Sequence, residues 1–255
     1  MRASRRQEKS AHHMLSVFIR DFRMILGQLP LENAGKEIPG CLDLLEKLAL
    51  NEDTIVCDAA FAQQEIIEAI VNKECYFCVN IKGNQENLER AIQMAFYEER
   101  NPISLYKTPV EKGHGRIEER TIEVMDMPFE YLCAWRHIKQ IARVTRVRIR
   151  KVKGQWKEEN EVAYLATNLT SKQADATRML ELNRGHGAIE NKLHWVRDKL
   201  FREDEHNISE VKSCNIIANI RSFIIHITTK LYDNIKATRE MFAHKVHLAF
   251  KALAI

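Results

Sequence analysis

The chain has 255 residues, 45% hydrophobic and 29% charged, with a formal net charge of +4. That length can bury a proper core in one or two domains, and the composition excludes a disordered or collagen-like chain. The mild positive charge tolerates an acidic partner without demanding one, and the apolar stretches fall far short of a membrane span.

Basic residues crowd the segment Met1–Ser10, and no apolar signal core follows it, so the expected setting is the cytoplasm, with no membrane partner. Six cysteines (Cys41, Cys57, Cys75, Cys78, Cys133 and Cys214) are scattered, mostly in apolar runs, as reduced thiols of a core are. Cys75 and Cys78 form a lone Cys-x-x-Cys within a strand-like run; without a second pair, zinc or redox use is the lesser reading.

Residues 14–19 and 24–31 read as two short strands. Ile38–Leu50 has helical spacing, with Pro39 suited to a first turn. Thr54–Cys57 reads as a buried parallel strand ending in Asp58. Gln63–Lys73 is helical by period, Tyr76–Ile81 is another buried strand, and Leu88–Glu99 is again helical. This order predicts an α/β sheet with crossover helices. The pattern then changes. Residues 117–124, 141–152 and 161–169 predict an antiparallel β segment over about 104–169. Within Arg143–Lys153, strand alternation puts Arg146, Arg148 and Arg150 on one face. The last third reads as helices: Lys172–Leu182 capped by Ser171 and ended by Gly185, then Ala188–Phe201, then about 208–228 and 231–253.

Three constellations could carry chemistry. Asp58 sits where open α/β sheets place ligands, at the carboxyl end of a strand; as a bare signal, capping the next helix is the better-supported reading, and a second carboxylate on a late helix shifts the balance. On a late helix, His186, Glu190, His194 and Asp198 recur every four residues. A solvated charged face is one reading of that stripe, and a zinc-dependent hydrolase using His186, Glu190 and His194 is another, although no His-Glu-x-x-His is present. Finally, the arginine strand is either an edge guarded by charge or a ribbon whose arginines reach successive DNA phosphates. Lys82 and the run from Lys112 to Arg120, holding His114 and Arg116, add charge at predicted turns. Trp135, Trp156 and Trp195 are expected in the core rather than stacked on bases.

Collinear segments covering most of the chain resemble the H-repeat-associated insertion-sequence transposases. They are Ser10–Phe18, Ile25–Gln28, Glu37–Pro39, Ile55–Ala59, Lys82–Gln85, Gly113–Glu118 and Gly185–Asp204. The resemblance implies a DDE transposase: an α/β, ribonuclease H-like mixed sheet with flanking helices, a β-rich insertion before the Glu-bearing helix, and a helical C-terminus. The expected division is a core segment at 1–103, a basic β insertion at 104–169, and a helical remainder at 170–255. The implied chemistry is DNA cleavage and strand transfer with two Mg2+ ions held by three carboxylates. Asp58 matches the second acid and Glu190 the third. Asn191, His194, Asp198 and Asp204 match the family's helix motif, and Asn84 lies in its Lys-Gly-Asn-Gln segment.

The first acid belongs to an Asp-Gly-Lys motif that precedes the region matching Met1–Ser4. The expectation is therefore an N-terminally truncated copy with an incomplete metal site, impaired catalysis and an unpaired sheet edge; Asp21 is too late to substitute. A tryptophan of the family is replaced by Gly187. The implied partners are transposon end repeats and target DNA, with a homo-oligomer forming on DNA. Nucleoid association would follow from binding. A non-catalytic DNA-binding or oligomerising remnant is the alternative.

Overall fold

The computed structural model describes residues 13–21, 24–31, 35–98, 101–113, 115–128, 135–152, 154–189, 195–205, 210–232 and 234–253. In chain order the strands are β1 (His13–Ile19), β2 (Met24–Leu31), β3 (Thr54–Cys57), β4 (Tyr76–Ile81), β5 (Ser104–Lys107), β6 (Glu111–Gly113), β7 (Arg116–Asp126), β8 (Gln140–Val152) and β9 (Gln155–Thr167). The helices are α1 (Glu37–Lys47), α2 (Gln64–Asn72), α3 (Glu86–Tyr97), α4 (Ala176–Ile189), α5 (Val211–Leu231), α6 (Ile235–His244) and α7 (Val246–Leu253). Two compact units result, Leu50–His186 and a second formed by Met1–Ala49 with Gly187–Ile255.

The unit at 50–186 is built on a seven-stranded mixed sheet in the order β3-β4-β9-β8-β7-β5, with β6 also paired to β7. The β3–β4 pair is parallel, joined by α2, as the alternation of strand and helix periods predicts. The strands from 104 onward extend this same sheet, because β9 pairs antiparallel with β4 from Cys78↔Thr167 to Ile81↔Tyr164. Polar groups fix that junction: Asn168 Oδ1 accepts from Phe77 N–H at 2.8 Å, and Thr167 Oγ1 donates to the Phe77 carbonyl. The core lies between Ile122, Val124, Ala142, Val144 and Leu165 of the sheet and Met179, Leu180 and Leu182 of α4. Truncating the fully buried Met179 to Ala there would cost about 2–5 kcal/mol.

Several expectations change. β3 is only half-buried, since among the described residues it pairs with β4 alone and forms the sheet edge. Strand β9 begins at Gln155, ahead of the expected 161, because its polar half still pairs with β8 as far as Val152↔Gln155. The cap of α4 is Asp175, whose Oδ1 accepts from Arg178 N–H at 2.8 Å; Thr170 and Gln173 bond to each other in the turn before it. Gly185 does not end α4, which runs on to Ile189. Arg116 and Arg120 lie in β7, while the turn before them is held by Gly115 at φ +71°.

The second unit holds the antiparallel hairpin β1–β2, with a register shift at Val17/Phe18. Gly40 lets α1 approach β2, since a Cβ there would lie 2.5 Å from Leu31 Cδ2. Val196 and Ile225 pack with Phe18, Ile25 and Phe201. Beside them, fully buried Arg197 donates to both oxygens of Glu203, at 2.6 and 2.7 Å, and Arg221 Nη1 lies 3.7 Å from the same carboxylate. The helix expected over 231–253 is interrupted at Lys245, and Asn234 caps its first half by accepting from Ala237 N–H. No helix among the described residues is long and apolar enough to cross a membrane.

Only Trp135 of the tryptophans is buried; Trp156 and Trp195 are exposed, against expectation. Cys75 and Cys78 are buried, and burial pushes the Cys78 thiol up to about 12, so these are core thiols.

Candidate active site and basic face

Asp58 ends the apolar run Thr54–Cys57 at the carboxyl end of the parallel pair. Its Oδ1 accepts from the Ala59 backbone N–H at 2.7 Å and caps the 3-10 turn Ala59–Phe61. The capping role and an exposed position therefore coexist, for the side chain is 50% exposed. Lys82 Nζ lies 3.8 Å from the same oxygen.

The loop after β4 is stitched onto the loop after β3. Asn84 Nδ2 donates to the Ala59 carbonyl at 2.7 Å, and Gln85 Nε2 donates to the Ala62 carbonyl at 2.8 Å. Asp58 thus shares one corner with Lys82 and Asn84, which lie far along the chain from it. Asn183 of α4 reaches that end of β4 through Asn80, at 3.1 Å.

The fate of the other expected residues differs. Glu190, Asn191, His194 and His114 lie outside the described residues, as do the side chains of His186 and Asp204. Neither the metal pair Asp58 and Glu190 nor the zinc set is placed as a group. Among the described residues no cluster of three or more His, Cys, Asp or Glu side chains is arranged to hold a metal. The hard oxygen of Asp58 suits magnesium in donor chemistry, as one ligand. Asp198 lies in the short π-helical turn Val196–Leu200, and its Oδ1 is buried without a hydrogen-bond partner among the described residues. Asp21 sits in the β1–β2 turn, paired with Arg20 and 75% exposed.

The arginines form a network across four strands. β7 and β8 pair in a register that sets Arg116 opposite Arg150, Glu118 opposite Arg148 and Arg120 opposite Arg146. These side chains share one face with the core residues Ile122 and Val124, beyond the part that α4 covers. Glu118 is 3% exposed. It contacts Arg120, accepts from Arg146 Nη2 at 2.8 Å, and lies 3.5 Å from Arg148 and 3.6 Å from Arg116. Burial pushes its carboxyl up, but the Arg146 hydrogen bond and the charges of Arg120, Arg146 and Arg116 outweigh this and hold it below the usual range.

Farther out, Glu159 accepts from Arg150 at 2.6 Å and Glu161 from Arg146 at 3.5 Å. Arg184 of α4 closes the network by donating to Glu111 on β6 at 2.7 Å. Six arginines against four glutamates leave this network positive. Strand alternation revealed the arginine stripe. It could not reveal Glu118 at its centre, whose role depends on which strands flank β7.

The family described as "Transposase DDE domain" matches residues 6–215. "Putative transposase YncI" of Escherichia coli O157:H7 is 29% identical over 241 residues, covering 89% of this chain and 58% of that protein. "H repeat-associated putative transposase YhhI" of Escherichia coli strain K12 is 28% identical over 233 residues, covering 88% and 60%. The chain thus spans 58% and 60% of these relatives' lengths. A solved piggyBac transposase synaptic complex with hairpin DNA aligns with 89% of this chain and 42% of that one, at a TM-score of 0.47 and 10% identity.

Proposed function

Because the chain belongs to the transposase DDE domain family, we propose that it acts in DNA cleavage and strand transfer at insertion-sequence ends, through a ribonuclease H-like core. Asp58 and Glu190 are the proposed magnesium-binding carboxylates, matching the family's second and third acids; its first acid is the one that the family places before the region matching Met1–Ser4. The observation that carries this reading is the position of Asp58: a half-exposed carboxylate at the carboxyl end of a parallel strand pair, fixed from both loops.

In this reading magnesium, when bound, supplies charge stabilisation for the attacking and leaving oxygens of a phosphodiester. The chain's own groups do the rest. Ala59 N–H and Lys82 orient Asp58, and Asn84 fixes the turn that carries it. The network bearing Arg146, Arg148 and Arg150 contacts the DNA backbone, as its excess positive charge and partial exposure favour. Asn191, His194, Asp198 and Asp204 orient Glu190 or DNA. The same proposal covers the division at 1–103, 104–169 and 170–255, the DNA partners and assembly of copies on DNA.

The test is magnesium-dependent nicking of DNA carrying the element's terminal repeats. Cleavage abolished by D58N and by E190Q supports the assignment; cleavage unchanged in D58N overturns it. Salt-sensitive binding without any cleavage favours the second reading, a non-catalytic DNA-binding protein, which the basic face supports independently. Stoichiometric zinc in the purified protein would instead favour a hydrolase using His186, Glu190 and His194.

A further inference from the structure

Glu118 opposes the purpose proposed for its surroundings. A face shaped only to attract phosphate gains from losing an acid, yet a carboxylate lies buried at the centre of this one. Three other glutamates already balance the rim, on β6 and β9. Glu118 alone contacts four arginines from two strands.

A guanidinium is a rigid planar fork, so a carboxylate bonded to one edge fixes the direction of the other. Arg146 is held in this way through Nη2, while Arg148 is drawn to the same carboxylate as an ion pair, its Nε 3.5 Å away; each is about a quarter exposed. Both also keep a buried Nε–H with no hydrogen-bond partner among the described residues, whose acceptors thus do not saturate the cluster. Unheld, these long side chains would lose their rotamer freedom only on meeting the ligand, and affinity would fall.

We propose that Glu118 is a positioning residue for phosphate recognition: it sets the arginine forks of β7 and β8 in the geometry that engages a DNA backbone, at the expense of one unit of attraction. This rests on the reading of the face as DNA-contacting.

The experiment measures binding of a fluorescein-labelled duplex oligonucleotide by anisotropy over a salt series, with thermal melts to check folding. E118Q and E161Q add the same charge, at the buried centre and the exposed rim. Positioning predicts that E118Q binds about tenfold more weakly than wild type despite its added charge, while E161Q binds equally or more tightly. E118D should recover part of the loss. Binding by E118Q as tight as wild type overturns the proposal, for it would show Glu118 to be only a neutralising group. If E118Q fails to fold, R146K serves at unchanged net charge, because Arg146 is the fork that Glu118 hydrogen-bonds and Lys cannot reproduce it. Weaker binding by R146K at every salt concentration supports positioning, and equal binding overturns it. Absence of wild-type binding at low salt overturns the reading of the face itself, and the proposal with it.

Discussion

Replacing Asp58 with Asn or with Ala separates capping from metal binding. The structure gives Asp58 one capping bond from Ala59 N–H and one half-exposed ion pair with Lys82. Ala loses the cap, at about 1 kcal/mol, and the pair, at about 0–1 kcal/mol. With each kcal/mol worth about 2–4 °C in a chain of this size, D58A should melt about 2–8 °C lower. Asn caps as well as Asp and loses only the ion pair, so D58N should melt within about 4 °C of wild type. Magnesium should then distinguish D58N from wild type. At a free ion concentration about ten times Kd, binding to the native state alone adds about 1.4 kcal/mol, or about 3–6 °C. Differential scanning fluorimetry across a magnesium series should show that rise in wild type and none in D58N. A D58N protein that keeps the full rise refutes Asp58 as a ligand. A D58A loss beyond about 4 kcal/mol would refute the account of its contacts.

Three further outcomes follow from the packing. E203Q, which leaves fully buried Arg197 without its carboxylate, should cost about 3–5 kcal/mol; urea unfolding followed by the fluorescence of Trp195 in the same unit tests this. G187A should raise the melting temperature by about 2–4 °C, since a Cβ at Gly187 meets nothing within 4 Å among the described residues and the glycine lies within α4. Wild type should lose stability on acidification below the ordinary carboxylate range. Glu118 is held low in the folded state, so its contribution is present above the unfolded pKa and disappears as the pH falls through the folded one; E118Q should flatten that part of the urea-measured profile.

The parts of the fold that were legible in advance rest on local periods. The run Thr54–Cys57, the apolar face Ile66, Ile67 and Ile70, and the run Tyr76–Ile81 each declare strand, helix and strand without reference to anything distant. The arginine stripe was legible for the same reason, since strand geometry alone puts Arg146, Arg148 and Arg150 on one side. What failed depends on neighbours. Ser171 and Asp175 are comparable caps in sequence, and the turn bonding of Thr170 with Gln173 leaves the role to Asp175. Gly185 reads as a stop, yet Asn183 and Arg184 anchor that stretch of helix to Asn80 and Glu111. Trp156 and Trp195 show that an aromatic side chain does not by itself declare a core position. The partnership of Asp58 with Lys82 and Asn84 follows from parallel pairing, which aligns the carboxyl ends of two strands separated in sequence.

Strands β8 and β9 are each 13 residues long, and along each one the side chains pass from buried at the Gln140 and Thr167 ends to exposed at the Val152 and Gln155 ends. A single ladder of hydrogen bonds therefore has a dry half and a wet half. Local opening is easiest where few apolar contacts must be broken, so amide hydrogens near Val152 and Gln155 should exchange through small fluctuations, while those near Gln140 and Thr167 should wait for the core to open. The outer end of the ladder, beyond the arginines that Glu118 fixes, can thus fluctuate on a faster timescale than the packing that anchors it. One pair of strands supplies compliance at one end and permanence at the other.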